Sequence, residues 1–382
     1  MCMKRRILTY FPNHLTAYGV VHAALSITEA MNTDTLRCFI YVPSGDSSIK
    51  SEVIKKTVFP FITRILYKIF SAHQVRYISE WLFFMKIKGN DIIYLWPGAS
   101  MRLIKKIKAK GNILIIENIN CHQKISKQIL DKEAKRINIT ESYCSISQAK
   151  IDNEFELLGL CDYIFSPSQL VTKSLLDSGV ISEKILESSY GLNESQQFNL
   201  DEKKENDNSP LEFIFVGRVG LRKGIHLLLE YWCAANIDGV LKIIGNTEES
   251  IKELIEPYRK VNNIQFVDFV DDIEAIYKAA DVFVLPSLEE GSPLVTYLAL
   301  GAGLPCVVSP MAGVGVVNHE KEGLVIDAHD KTAWVKALQL LASSAEVRKA
   351  QSISAREASN NFLWSKVGRR RAGLLMQKLK GK

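Results

Sequence analysis

"LNESQQFNLDEKKENDNSP", Leu192 to Pro210, carries neither a period of two nor one of 3.6 in its few apolar residues. Its polarity marks it as a linker, and what lies on either side decides the fold. Upstream, "RRILTY" (5–10), "LRCFIYV" (36–42), "DIIYLW" (91–96), "NILIIE" (112–117) and "DYIFSP" (162–167) alternate with helical periodicity. Downstream the alternation restarts with "LEFIFVG" (211–217), "VLKIIG" (240–245), "IQFV" (264–267), "DVFVLPS" (281–287) and "LPCVVS" (304–309). Nearly continuous apolar strands separated by helices indicate parallel sheets covered on both faces. A chain of 382 residues also exceeds what one hydrophobic core supports. The expectation is an α/β protein of two doubly wound domains, residues 1–192 and 211–360, joined by a linker at 193–210 and closed by a helical segment at 361–382. Ligands of such sheets bind beyond the carboxyl ends of the strands, so two facing domains would share a central cleft.

Apolar residues make up 47% of the chain and charged residues 24%, ordinary values for a soluble globular protein. The opening "MCMKRRILTYFPNHL" has no apolar core followed by a small-residue cleavage site, and no apolar run approaches the ~18 residues that span a bilayer. Seven scattered cysteines without a C-x-x-C pair predict reduced thiols in a cytoplasmic protein. The net charge of +6 is uneven: residues 1–192 hold 25 Lys and Arg against 17 Asp and Glu, residues 193–382 hold 23 against 25. Residues 50–110 alone carry 13 basic and 3 acidic side chains, interleaved with apolar groups as in "VFPFITRILYKIF" (58–70) and "WLFFMKIKGN" (81–90). Such a stretch suits an anionic membrane surface or an acidic partner. It equally suits core-packed helices with solvated lysines. A nucleic-acid partner is not expected.

Two constellations suggest chemistry. In "PSLEEGSPLVTYLALGAG" (286–303), Ser292 suits an N-cap and Pro293 the first helical position. The helix should run until Gly301 or Gly303, leaving the amides from Leu294 and Val295 onward as a site for an anion or a hydroxyl. Glu290 stands at the same mouth, placed to accept hydrogen bonds from a polyol or simply to offset the helix dipole. In "FVGRVGLRKGIHLLL" (215–229), the strand ends at Gly217, and Arg218 and Lys223 flank a glycine loop before a helix. Two fixed cations at a strand end suit a diphosphate, although a solvated surface loop has the same composition. The loop is neither G-x-G-x-x-G nor a Walker motif. In the first half, "FPNHLTAYGVVHAAL" (11–25) places Gly19 at a strand-to-helix turn. "IIENINCHQK" (115–124) places His122 past a strand end, at the cleft edge. There is no D-x-D and no cluster spaced for a metal.

Together the second-half segments, "FVGRVGLRKG", "IIGN", "VDFVDDIEAIYKAADVFVLPSLEEGSPLVTY" and "GLPCVVSPMAGVGVVNHEKEGLVIDAHD", resemble glycosyltransferase family 4, above all its bacterial members that build surface polysaccharides. The family is made of retaining nucleotide-sugar transferases with the GT-B fold, two Rossmann-like domains facing a cleft and a C-terminal helix crossing back to the first. The resemblance implies that Arg218 and Lys223 hold the donor diphosphate, that Glu290 contacts donor-sugar hydroxyls, and that His122 lies near the reacting sugar. Donor contacts are implied at Gly19 beneath the phosphates, at Gly217, Gly245, Asn246, Phe269 and Val270, and in the loop Ser292, Pro293, Leu294 and Val295. The second acid of the family's Glu, seven residues, Glu signature would fall at residue 298, which here is leucine. Losing its charge-assisted hydrogen bonds to the ribose would cost about 1.5–3 kcal/mol each. The activity implied is metal-independent transfer of a hexose-type sugar from a UDP- or GDP-linked donor to a saccharide or lipid-linked acceptor, with no cofactor beyond the donor. The acceptor side would belong to 1–192, with a peripheral contact on the inner face of the cytoplasmic membrane, and the donor site to 211–360. Two rivals stand beside it: a degenerate, non-catalytic binding or scaffold subunit, supported by Leu298, and another GT-B-like enzyme such as a sugar-nucleotide epimerase or a phosphorylase.

Overall fold

The computed structural model describes residues 4–16, 19–58, 71–139, 146–200, 210–268, 270 and 272–380. The first half builds a seven-stranded sheet from β1 (Arg5–Tyr10), β2 (Leu36–Val42), β3 (Ile54–Lys56), β4 (Ile92–Leu95), β5 (Ile113–Glu117), β6 (Tyr163–Ser166) and β7 (Ile185–Glu187). Its order is β3-β2-β1-β4-β5-β6-β7, and every pairing is parallel. The second half builds a six-stranded parallel sheet from β8 (Leu211–Val216), β9 (Gly239–Ile244), β10 (Ile264–Val267), β11 (Val282–Leu285), β12 (Cys306–Val308) and β13 (Gly323–Val325), in the order β10-β9-β8-β11-β12-β13. Strand order reverses between β1 and β4 and again between β8 and β11, and a doubly wound sheet opens a crevice at such a reversal.

The strands are apolar throughout because both faces are covered. In β1, Ile7 packs into the core shared with the second half while its neighbour Leu8 packs into a separate core on the opposite face, with Ile93, Leu114 and Ile164. Ten strands fall where their apolar runs predict them. The three that the patterns do not announce, β3, β7 and β13, are three-residue edge strands. Nothing that short displays a period.

The expected linker is only partly a linker. Residues 193–200 are folded: Glu194–Gln196 forms a 3₁₀ turn, the Phe198 N–H donates to the Gly301 carbonyl (3.0 Å), and Arg356 Nε donates to the Phe198 carbonyl (2.9 Å). Residues 201–209 lie outside the described residues. The return crossing runs beside the outgoing one, with the Leu192 N–H donating to the Phe362 carbonyl (3.0 Å) and the Trp364 N–H to the Leu192 carbonyl (3.1 Å). The final helix, Trp364–Leu379, then packs on Gly19–Ala30 of the first half, with Gly368 seated against Ala30.

That helix is fastened by Arg371, which has no exposed surface. Its guanidinium donates to Glu117 at 2.8 and 3.1 Å, to Tyr94 Oη at 3.0 Å and to the Ser189 carbonyl at 3.1 Å, and it lies over the rings of Phe165 and Tyr190. Tyr94 and Tyr190 each donate a hydroxyl hydrogen bond to Glu117. Burial alone would lower the Arg371 pKa, but Glu117 and the two tyrosines outweigh it and raise it further. Removing one partner leaves a buried charge uncompensated. Arg371→Met should therefore lose about 3–5 kcal/mol of stability, and the double replacement Arg371→Met/Glu117→Gln should lose less than the single one. Thermal melts of the three proteins check this.

Candidate functional site

The carboxyl ends of the two sheets face each other across a cavity of about 1020 Å³. The first half contributes the segments after β4 (Trp96–Met101) and after β5 (Asn118–Cys121), with Gln123, Ser126, Lys150 and Glu154. The second half contributes Arg218 and Arg222 after β8, Glu248–Ser250 after β9, and Glu289 after β11.

After β8 the chain turns through Gly217 into a 3₁₀ turn, Leu221–Lys223, and the helix Ile225–Ala235. Gly224, between them, has φ +68° and its α-carbon lies against the Pro286 carbonyl, so a side chain there would meet both strain and collision. This contact draws the β8 and β11 loops together. Lys223 is consequently buried with its ammonium 2.6 Å from Glu290 Oε1. Burial lowers the Lys223 pKa, and Glu290 opposes that shift. Arg222 reaches both carboxylates of the loop, 3.4 Å from Glu289 Oε2 and 3.3 Å from Glu290 Oε2. Burial would lower the Arg222 pKa, but Glu290 and Glu289 outweigh it and raise it. Arg218, largely exposed on the cavity wall, pairs with Glu248 (3.2 Å). The two expected cations therefore serve different carboxylates, and Arg222, which the motif reading passes over, stands between them. Its signal is adjacency: it precedes Lys223 in the same loop.

Glu289 binds the other half. Its Oε1 accepts from the Cys121 N–H (3.2 Å) and the Ser126 hydroxyl (3.0 Å). Burial raises its pKa, and Arg222 opposes the shift. Beside it, Gly291 lies backbone against backbone on the Ile119 carbonyl, and the Ser168 hydroxyl donates to the Gly291 carbonyl (2.6 Å).

The helix after this loop spans Leu294–Gly301, and its cap differs from the expectation. Pro293, not Ser292, occupies the cap position, with extended backbone and no side-chain cap bond. The Ser292 hydroxyl instead pairs with Tyr297 Oη (2.6 Å), which accepts from the Tyr190 N–H (3.2 Å) at the end of the first half. Proline's fixed φ suits the cap as well as the first helical position, and the tyrosine captures the serine. Leu294, Val295 and Leu298 are half-buried against the second-half core. Gly217 and Gly245 sit side by side at the ends of β8 and β9, the α-carbon of Gly245 facing the Gly217 carbonyl. Asn246 is exposed, its carbonyl accepting from the Val219 N–H (3.0 Å), while Val270 is half-buried and Phe269 lies outside the described residues. Gly19 opens the helix Gly19–Ala30 at φ +75°, with open space where a side chain would project.

His122 is not brought to the cleft. It is fully buried at the start of the helix Gln123–Arg136, where its Nδ1 accepts from the Lys124 N–H (3.2 Å) and its ring packs on Phe155. Capping duty turns the ring away from the cavity. Burial, with Lys124 adding to it, lowers its pKa to about 4. Glu154, 3.5 Å from His122 Nε2, does line the cavity; burial raises its pKa to about 7, opposed by the hydrogen bond from the Gln123 N–H.

A third seam contact had no sequence signal at all. Glu133 of the first half accepts from His226 Nε2 (2.7 Å) and His329 Nε2 (2.9 Å) of the second, and from Arg136 of its own helix. These residues are far apart in sequence and belong to no motif.

Residues 196–358 match the family model of the glycosyl transferases group 1. The match begins inside the folded part of the expected linker. An uncharacterized glycosyltransferase of Haemophilus influenzae is 29% identical over 168 residues, 42% of this chain and 47% of that protein. A UDP-Gal:alpha-D-GlcNAc-diphosphoundecaprenol alpha-1,3-galactosyltransferase of Escherichia coli is 38% identical over 106 residues, 26% of this chain and 27% of that protein. The chain spans less than half the length of the curated relatives it matches. Sucrose-phosphate synthase from Thermosynechococcus elongatus aligns in three dimensions with a TM-score of 0.74, over 99% of this chain and 100% of that one, at 18% identity. The two share the GT-B architecture of paired Rossmann-like domains.

Burial on its own would raise the Glu133 pKa; hydrogen bonds from His226, Arg136 and His329 outweigh it and hold the carboxyl well below its ordinary 4.5. A depressed acid contributes stability above its unfolded pKa and loses it as pH falls. The melting temperature should thus drop as pH falls below about 4.5, and Glu133→Gln should melt earlier at neutral pH with a shallower acid decline. Melting curves across the acid range check both.

Proposed function

We propose that this protein is a retaining glycosyltransferase that moves a hexose-type sugar from a UDP- or GDP-linked donor to a saccharide or lipid-linked acceptor in bacterial surface polysaccharide synthesis. The observation that carries this reading is the buried Lys223–Glu290 pair (2.6 Å) within the matched region, flanked by Arg222 and Glu289 on the cavity wall. Fixed cations beside a carboxylate suit a donor whose diphosphate takes the cations and whose sugar hydroxyls donate to the acid.

In this reading the loop's own carboxylates stand in for the donor. Glu248 holds Arg218, and Glu289 and Glu290 hold Arg222. A diphosphate entering the cleft takes over the guanidinium groups and the Lys223 ammonium, and frees Glu290 to accept from the sugar. The acceptor hydroxyl attacks the anomeric carbon as its bond to the diphosphate oxygen breaks. The hydroxyl proton passes to the departing phosphate oxygen, and fixed cations stabilise the charge that develops there. No step of this reading uses a metal or cofactor, so turnover should survive EDTA. His122 no longer has a part in it; it positions the Cys121–Gln123 turn from behind. The Escherichia coli relative, a UDP-Gal enzyme acting on a diphosphoundecaprenol-linked sugar, supports the donor and acceptor classes.

The non-catalytic reading rests on Leu298, which presents no acceptor for a ribose. A turnover screen of nucleotide sugars, combined with calorimetric titration of UDP and GDP, separates the two. The wild type should hydrolyse or transfer at least one donor. Lys223→Ala should lose turnover by more than about a hundredfold, the effect of removing one electrostatic donor at a reacting centre, while keeping its fold. Leu298→Glu should tighten UDP or GDP binding by about tenfold or more. A wild type that neither binds nor turns over any donor leaves the scaffold reading standing.

A further inference from the structure

The cationic stretch of the first half becomes a definite surface between residues 71 and 112. This segment has eight Lys and Arg but only two acids, Glu80 and Asp91. Both acids face inward. Glu80 is buried and accepts from the Ser100 N–H (2.8 Å) and hydroxyl at the start of the helix Met101–Ala109. Asp91 is buried against Arg6 (2.6 Å). On the outer face Lys105 and Lys108 pair with Glu156 and Asp162 (both 2.7 Å), and Arg76, Lys86, Arg102, Lys106 and Lys110 have no carboxylate beside them among the ion pairs of the described residues.

Through that face runs an apolar stripe that no part of the described protein covers. Tyr77, Trp81 and Met85, at and just beyond the helix Ala72–Phe84, are 42%, 50% and 63% exposed. They recur every four residues and so line one side of the helix over about 12 Å. Arg102 lies over the Tyr77 ring (4.4 Å), and Lys106 and Lys110 lie over Phe84 (5.7 and 5.1 Å). A narrow groove lined by Tyr77, Trp81, Phe84, Arg102, Leu103 and Lys106, with Glu80 at its base held by Ser100, separates this helix from Met101–Ala109. Exposed large apolar groups are costly in water unless something else covers them. Tyrosine and tryptophan with lysine and arginine around them form the side-chain set of a bilayer interface, rings at headgroup depth and cations on the phosphates.

We infer that Tyr77, Trp81 and Met85, rimmed by Arg76, Lys86, Arg102, Lys106 and Lys110, dock this protein on the surface of an anionic lipid bilayer. The position fits the chemistry. Arg76 and Met101, at the two edges of this face, also line the central cavity, so docking sets the cavity mouth at the headgroups. An acceptor whose sugar is anchored to lipid then enters without leaving the membrane; this last step, unlike the docking itself, rests on the transferase reading. Among the described residues no helix is long and apolar enough to cross a membrane; the docking proposed is peripheral.

The test is flotation of the full chain, without nucleotide sugar, on phosphatidylcholine vesicles with or without phosphatidylglycerol. The wild type should float with the mixed vesicles at low salt and be released when salt shortens the Debye length to about 3 Å. Arg102→Gln/Lys106→Gln removes two charges worth about 1 kcal/mol each near such a surface, so its partition should fall about thirtyfold. Trp81→Ser/Met85→Ser should float less at every salt concentration. The same charge loss at exposed sites of the second half, Lys336→Gln/Lys349→Gln, should change nothing. Circular dichroism melts show whether each variant is folded. Equal flotation with and without phosphatidylglycerol overturns the proposal, and so does wild-type flotation of both first-half variants. Neither result touches the donor site, which the nucleotide titration examines separately.

Discussion

A guanidinium with no exposed surface, held by the carboxylate at the end of β5, governs how the two sheets stand relative to each other. Arg371 arrives on the last helix, after the chain has built the second sheet and crossed back, and Glu117 waits at the rim of the first. A charge of that kind is tolerated inside a protein only when its partner is in place. The return of the C-terminal helix is therefore specified as well as favoured. Tyr190 extends the arrangement, since its hydroxyl serves Glu117 while its amide serves Tyr297, whose own hydroxyl holds Ser292 in the loop after β11. The anchor and the candidate site are two ends of one hydrogen-bonded chain.

The electrostatics of the seam run against the bulk charges of the halves. The first half is net basic and the second slightly acidic, which draws them together at long range. At the seam itself the first half supplies Glu117 and Glu133, and the second supplies Arg371, His226 and His329. Glu289 crosses the other way, its acceptor oxygen turned to Cys121 and Ser126. Buried polar groups of this kind discriminate between right and wrong dockings, because any other register strands a charge.

Legibility followed sequence distance. The central strands could be read because burial on both faces leaves an uninterrupted apolar run, and the positions of Lys223 and Glu290 could be read because each belongs to a short loop between a strand and a helix. What escaped were properties of contact. Nothing in "IIENINCHQK" distinguishes a histidine that faces a cavity from one that caps a helix with its ring packed on Phe155. Ser292 and Pro293 each satisfy a local rule for starting a helix, and Tyr297, five residues on, decided which rule applied. The pairing of Glu133 with two histidines nearly a hundred or more residues away is invisible without the fold. Arg222 and Glu289 are intermediate: each adjoins a residue already singled out, and adjacency was the available clue.

The contact between Gly291 and the Ile119 carbonyl gives the seam the character of a mechanical stop. Side chains that meet across a cleft can swing, shorten by changing rotamer, or admit water between them. Two stretches of main chain in van der Waals contact have no such compliance, because neither carries an atom that can step aside. The closest approach of the halves is then a fixed distance, set by backbone thickness and independent of whatever occupies the cavity beside it. A ligand can change how long the halves remain together, but the shape it meets when they do is always the same.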